Sequence, residues 1–194
     1  NITFIRQVET KGLGHAILRA KNFVGNEPFA VMYGDDVIIG ENPAIGELIE
    51  SYGEYGKGVV GVKLVPETEI HKYGSLAVEN IHDNIYKCTD MVEKPQTPEE
   101  VLSCYSILGR CVLPPEIFEI LENTKPGKGG EIQLTDAMKE IATTVGMTAV
   151  EYTGTRYDMG NKLGILQASI EVGINHPEVG EDFKKYLKEF AKTL

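Results

Sequence analysis

Residues 28–33 and 59–65 are short, nearly continuous apolar runs. A run of that length with no polar alternation marks a strand covered on both faces. Such a strand needs helices above and below it. Between the runs, Asn42-Pro43 opens a helix with proline in its first turn. Ile45, Leu48, Ile49 and Tyr52 then fall on one face of that helix. Residues 2–7 alternate weakly and read as a strand, and residues 13–20 read as a helix entered through glycines. The order strand, helix, strand, helix, strand predicts parallel pairing with right-handed crossovers. The pattern then changes. Residues 73–78, 85–92 and 103–113 read as strands joined by turns, one of them at Asp83-Asn84, and predict an antiparallel insert. Helices follow over residues 115–122 and 135–145, with a glycine-rich loop at 125–130 between them. A strand is expected at 148–152 and helices at 163–173 and 181–194. The whole reads as one α/β domain over residues 1–194, with a β-insert at 73–113 and a terminal helix at 181–194. On that helix Phe183, Leu187, Phe190 and Leu194 share a face, which suits either packing on its own domain or a contact between subunits.

The 194 residues are enough for one domain with a real core. Asp and Glu number 29 against 19 Lys and Arg, a net charge of −10, which argues against a general nucleic-acid binder. Cys88, Cys104 and Cys111 form no C-x-x-C pair, so neither a disulfide framework nor a zinc site is expected, and a reducing cytoplasm fits best. No apolar run is long enough to span a bilayer.

Small or charged clusters close several of the β-runs, where open α/β sheets hold their ligands. Lys11-Gly12-Leu13-Gly14-His15-Ala16 leads into the first helix. Gly12 would let the backbone approach a flat ligand, and the Gln7 amide could read the edge of a pyrimidine ring. As it stands, the run serves equally as a structural turn. Asp35-Asp36 follows the 28–33 run, and Asp158 ends a β-run over 153–157. A hard divalent cation takes one or two carboxylates plus substrate phosphates, so Asp35 and Asp158 could share Mg²⁺. A solvated turn and a helix cap are the alternatives. Glu93-Lys94-Pro95 closes a strand. Glu93 could accept hydrogen bonds from sugar hydroxyls and Lys94 could pair with a phosphate, or the two could form an ordinary surface ion pair. Lys162 starts a helix, where a cation opposes the helix dipole unless an anion sits nearby. Tyr73-Gly74 resembles a turn whose amides meet a hydroxylated ligand.

Taken in order, these residues carry a family resemblance. Gln7 with K-G-L-G-H-A, Asp35-Asp36-Val37, Tyr73-Gly74, Val92-Glu93-Lys94-Pro95, Gly109-Arg110, the run G-E-I-Q-L-T-D-A from Gly130 and the run D-M-G-N-K-L-G from Asp158 resemble the bacterial UTP–glucose-1-phosphate uridylyltransferases. The resemblance implies a Rossmann-like nucleotidyltransferase, a three-layer α/β/α mixed sheet with an antiparallel insert over the sugar site. It implies UTP and glucose 1-phosphate as substrates, Mg²⁺ as cofactor, and a homo-oligomer, dimer or tetramer, with no nucleic-acid or membrane partner. It implies that Gln7 and Gly12 meet the uracil, with Asp35 also on the nucleotide side, and that Asp35 and Asp158 lie at the metal. Gly74 and Glu93 would hold the glucose, Lys94 its phosphate, and Lys162 a further phosphate. Asp35, Lys94 and Asp158 would then be the catalytic set.

The family also opens with a G-x-G-T-R loop and a P-x-x-x-K-P segment, and neither occurs in these 194 residues. The expectation is therefore a chain N-terminally truncated relative to the family and without its first strands. Other readings are an inactive UDP-sugar-binding fragment, an assembly role for the final helix, or a related thymidylyl or other sugar-1-phosphate enzyme.

Overall fold

The computed structural model describes residues 1–194, the side chain of Lys128 excepted. The strands are β1 (Phe29–Met32), β2 (Asp36–Ile39), β3 (Gly58–Leu64), β4 (Gly74–His82), β5 (Ile85–Glu93), β6 (Tyr105–Leu113), β7 (Met147–Glu151) and β8 (Thr155–Asp158). The α-helices are α1 (Leu13–Leu18), α2 (Lys21–Val24), α3 (Ala44–Tyr55), α4 (Ile117–Asn123), α5 (Leu134–Thr144), α6 (Lys162–Gly173) and α7 (Gly180–Ala191).

β3 is the strand that its sequence describes. Val59, Val60 and Val62 are fully buried, and successive side chains feed opposite layers. Val60 and Val62 join Cys111, Leu113 and Ala149 under the apolar faces of α1, α4 and α5. Val59 joins Val112, Val150 and Tyr152 under Ala44 and Leu48 of α3. Two helical layers around one sheet make a three-layer α/β/α architecture, as the resemblance implies. At Gly61 an added Cβ would lie 3.0 Å from the Tyr152 ring, so glycine is what lets that ring pack against the strand.

The six-stranded sheet runs β1-β6-β3-β7-β5-β4. Within it only β3 and β7 pair in parallel, and every other pairing is antiparallel. The expected all-parallel opening is thereby corrected. β1 pairs only with β6, so it is an edge strand, and its burial alternates instead of being complete. Its apolar run reflects Phe29 stacking on Phe118, with ring centroids 5.0 Å apart, and not cover on both faces. Residues 2–7 form no strand. Ile2 and Phe4 are 87% and 93% exposed, and no pairing involves them. β4, β5 and β6 do form as an antiparallel set, but they are strands of the main sheet. β6 lies between β1 and β3. Gly74 and Ser75 of β4 return to pair with Ile107 and Ser106 of β6. That pairing closes a circuit β6-β3-β7-β5-β4.

β2 was not foreseen. It forms a separate two-stranded ribbon with β8, in which Asp36 faces Asp158 and Ile38 faces Arg156. α7 meets α6 where Phe183 covers Gly173, and Phe183, Tyr186 and Phe190 stack along it at 6.4 and 6.0 Å. Of the face predicted on this helix, Phe183 and Leu187 are half-buried while Phe190 and Leu194 remain exposed, as does Tyr186 beside them. Among the described residues no helix is long and apolar enough to cross a membrane.

Candidate active site

A cavity of about 280 Å³ opens where β5 ends and β4 begins, between the sheet and the β2–β8 ribbon. Asp35, Gly74, Glu93, Lys94 and Asp158 all line it. Gln7, Gly12 and Lys162 do not, although Leu13, next to Gly12, does.

The sheet wall is built by register. Gly74 pairs directly with Glu93, and an added Cβ on Gly74 would lie 3.4 Å from Glu93 Oε2. That oxygen accepts a hydrogen bond of 2.7 Å from Thr135 Oγ1, in the first turn of α5. The other oxygen, Oε1, lies 3.5 Å from Lys94 Nζ. Lys94 holds φ of +47°, an uncommon conformation for a non-glycine residue and one that marks positions fixed by their surroundings. Its amide donates to Tyr73 O at 3.0 Å, and its carbonyl accepts from Gln96 Nε2 at 2.7 Å. Pro95 then fixes the exit of the chain.

The ribbon wall carries the two carboxylates. Met159 N donates to Asp35 O at 2.7 Å, and Gly160 N donates to Asp158 Oδ1 at 2.9 Å. A Cβ added to Gly160 would lie 3.0 Å from Asp158 Oδ1 and 3.3 Å from Asp35 Oδ2. Glycine at 160 therefore leaves open the space onto which both carboxylates converge. No group of three His, Cys, Asp or Glu side chains forms a metal cage among the described residues. Two converging carboxylates without a cage fit Mg²⁺, which keeps waters and binds together with substrate phosphates.

Asp36 lies behind this wall. It ion-pairs through Oδ1 with Arg156 Nε, whose Nη2 is 3.9 Å from Asp158 Oδ2. Burial pushes the Asp36 carboxyl above the usual range, the Arg156 hydrogen bond and charge oppose that, and the Asp35 and Asp158 charges add to it. Gly109 has φ of +69° and would place a Cβ 2.5 Å from Asp36 Cβ, so only glycine admits Asp36 here. Arg110 donates to Asp36 O at 2.8 Å and to Tyr33 O at 3.3 Å. Four carboxylates (Asp35, Asp36, Glu93, Asp158) face three cations (Lys72, Lys94, Arg156) around the cavity. A bare phosphate chain would be repelled by that excess, and a phosphate chain carrying a divalent cation would not.

The remaining predicted residues lie nearby. Gln7 Nε2 contacts Gly12 O at 3.2 Å and His15 Nδ1 at 2.9 Å. Gly12 packs against the chain at Glu131 and Ile132, where a Cβ would clash at 2.7 Å. Lys162 opens α6, whose first turn is capped by Asn161 Oδ1 accepting from Gly164 N at 2.7 Å. Sequence reasoning assigned no side-chain role to Thr135, Tyr73 or Arg156. Thr135 and Tyr73 stood inside motifs already singled out. Arg156 could be found only from the β2–β8 register.

Together these features define a class: an α/β protein with a charged, polar crevice at its strand ends. The chain belongs to the nucleotidyl transferase family, whose model matches residues 1–173. It is 44% identical over 189 residues to a UTP–glucose-1-phosphate uridylyltransferase of Staphylococcus epidermidis, covering 97% of this chain and 65% of the relative. It is 43% identical over 192 residues to the UTP–glucose-1-phosphate uridylyltransferase YngB of Bacillus subtilis, covering 99% and 64%. A solved UDP-glucose pyrophosphorylase complexed with UDP-glucose superposes with a TM-score of 0.85 at 39% identity, covering 90% of this chain and 66% of that one. A UTP-bound enzyme from Acinetobacter baumannii superposes with a TM-score of 0.83 at 34% identity, covering 93% and 63%. The chain thus spans about 65% of the length of the curated relatives it matches.

Proposed function

We propose that this chain forms the sugar and metal sides of an enzyme making UDP-glucose and pyrophosphate from UTP and glucose 1-phosphate. The observation that carries the reading is the convergence of Asp35 and Asp158 opposite Glu93, Thr135 and Lys94 across one cavity. An oxygen of the glucose 1-phosphate phosphate attacks the α-phosphorus of UTP. The bond to pyrophosphate breaks in line, and pyrophosphate leaves with the electron pair. Such a step needs positioning and charge neutralisation, not a protein nucleophile. Asp35 and Asp158 would hold Mg²⁺, which when bound supplies charge neutralisation at the phosphate oxygens.

The other residues bind and orient. Lys94 holds the attacking phosphate as a point charge. Glu93, oriented by Thr135, accepts from glucose hydroxyls, and Gly74 leaves the sugar room. Gln7 and Gly12 meet the uracil, and Lys162 a further phosphate. The three free cysteines support a cytoplasmic setting, and the exposed Tyr186 and Phe190 support a homo-oligomer.

The test is pyrophosphate release from UTP and glucose 1-phosphate with Mg²⁺, on this chain and on a form extended at its N-terminus to the length of its relatives. Activity in the extended form, lost in Asp35→Asn with the fold intact, supports the reading. No activity in either form, or an unchanged rate in Asp35→Asn, refutes it. Competition by dTTP measures how strictly uridine is required.

A further inference from the structure

We infer that Arg156 is a positioning residue that locks the carboxylate-bearing ribbon to the sugar-side wall of the cavity. The inference rests on the function proposed above. The ribbon is two strands of four residues each and stands outside the six-stranded sheet. Both converging carboxylates belong to it: Asp35 immediately precedes β2, and Asp158 ends β8. Their position relative to Glu93 and Lys94 therefore depends on what joins the ribbon to the sheet.

Arg110 of β6 makes one such joint through Asp36 O, and Arg156 makes a second, from two contacts within the ribbon and one across the cavity wall. Its Nε pairs with Asp36 of the opposing ribbon strand, which holds the two strands in register. Its Nη2 approaches Asp158 Oδ2 at 3.9 Å, on the side away from the oxygen held by Gly160 N. Its guanidinium lies over the Tyr73 ring, 5.2 Å from the centroid. Tyr73 directly precedes Gly74, and its carbonyl holds the Lys94 amide at 3.0 Å. One planar cation thus touches the metal side through Asp158 and the sugar side through Tyr73. A lysine could keep the charge but not the fork or the flat face. The Arg156 side chain is 16% exposed and that of Asp36 9%, so the joint is largely withdrawn from solvent screening.

A purely structural ion pair would lower stability when broken and leave the remaining folded molecules unchanged. A positioning residue also changes what the folded molecules bind. The test uses the N-terminally extended form and its Arg156→Lys and Tyr73→Leu variants. It reads Mn²⁺ affinity by electron paramagnetic resonance in the presence of UTP, kcat and KM for glucose 1-phosphate, and thermal midpoint. Removing a group that orients a metal ligand typically costs about 10–100-fold in metal affinity or activity. Arg156→Lys is expected to weaken Mn²⁺ binding by roughly that factor and to lower kcat. Tyr73→Leu leaves the Asp36 pair intact and is expected to shift Mn²⁺ binding in the same direction. The double variant is expected to lose less than the product of the single losses, because both act through one contact. Folded Arg156→Lys protein with unchanged Mn²⁺ affinity overturns the inference while the proposed function stands. Fully multiplicative losses overturn the coupling through Tyr73. If the unsubstituted protein neither binds Mn²⁺ with UTP nor forms UDP-glucose, the functional reading falls and the inference with it.

Discussion

Gly109→Ala is the sharpest single test of how the carboxylate ribbon is seated. Gly109 has φ of +69°, and an L-residue in that region costs about 1–2 kcal/mol. A Cβ there would also lie 2.5 Å from Asp36 Cβ and 2.8 Å from Asp36 Oδ2. The nearest of these is the Cβ, fixed by the backbone, and the side chain beyond it is tied to Arg156, so it cannot swing aside at little cost. Overpacking of that kind adds about 1–3 kcal/mol. The sum is roughly 2–5 kcal/mol, which for a chain of this length lowers the thermal midpoint by about 4–20 °C. Gly56→Ala is the matched control. Gly56 has φ of +61° at the C-cap of α3, but a Cβ there meets no atom within 4 Å. It should lose only the conformational cost, about 2–8 °C. Differential scanning calorimetry of the two variants separates the terms. Equal losses would refute the claim that Gly109 exists to admit Asp36, and with it the account of how β2 is fixed to β6.

Thr135→Val deletes the 2.7 Å hydrogen bond to Glu93 Oε2 and should raise KM for glucose 1-phosphate roughly tenfold in the extended form, at the low end for a bond to a charged group; steady-state kinetics with an unchanged KM would remove Glu93 from the sugar site. Burial raises the Cys88 and Cys111 thiols to about 12. Both stay protonated in the folded chain while the unfolded chain loses those protons from about pH 9, so stability should fall above that pH by about 1.4 kcal/mol per unit and thiol. Urea unfolding at pH 8 to 10.5 measures that fall, and Cys111→Ala should make it shallower. Amide hydrogen exchange should be faster in β2 and β8 than in β3, whose Val59, Val60 and Val62 are fully buried; equal protection would mean that the ribbon opens only with the whole domain.

What the sequence made legible follows from how local each signal is. β3 was readable because its neighbours on both faces are helices, so its whole run is apolar. The same pattern misled at β1, where Phe29 and Val31 pack inward while Ala30 and Met32 lie exposed; a four-residue apolar run cannot report which face is covered. Residues 2–7 have strand-like composition, yet a strand needs a partner, and none pairs with them. β2 escaped notice because Asp35-Asp36 reads as a turn; only the facing strand β8 makes Asp36 a strand residue. Asp35, Glu93, Lys94 and Asp158 could be singled out because carboxylates and lysines at strand ends are few. Their convergence on one cavity was implied only by the family resemblance, because within the chain it depends on the fold of β4 back onto β6 and on the β2–β8 pairing.

The two walls of the cavity differ in kind, and the difference bears on how such a site could work. The sheet wall rests on fully buried neighbours. Ser75 and Leu76 follow Gly74 at 0% exposure, and Ser75 Oγ accepts from the amides of Leu102 and Ser103 while donating to Ser103 O. Glu93, paired with Gly74, is thereby held beside the buried core. The ribbon wall rests on less: Ile38 packs against the second core cluster, and the remainder depends on Arg110, Arg156 and the space left by Gly109. A rigid wall suits the discrimination of a sugar, where hydroxyl positions must be matched. A wall hinged on a few polar contacts suits groups that change charge and geometry during phosphoryl transfer, because small adjustments there need not disturb the sugar. On the proposed function, sugar recognition and the Lys94 charge would fall on the sheet wall and metal binding on the ribbon, with Arg156 joining the two through Tyr73 and Asp158.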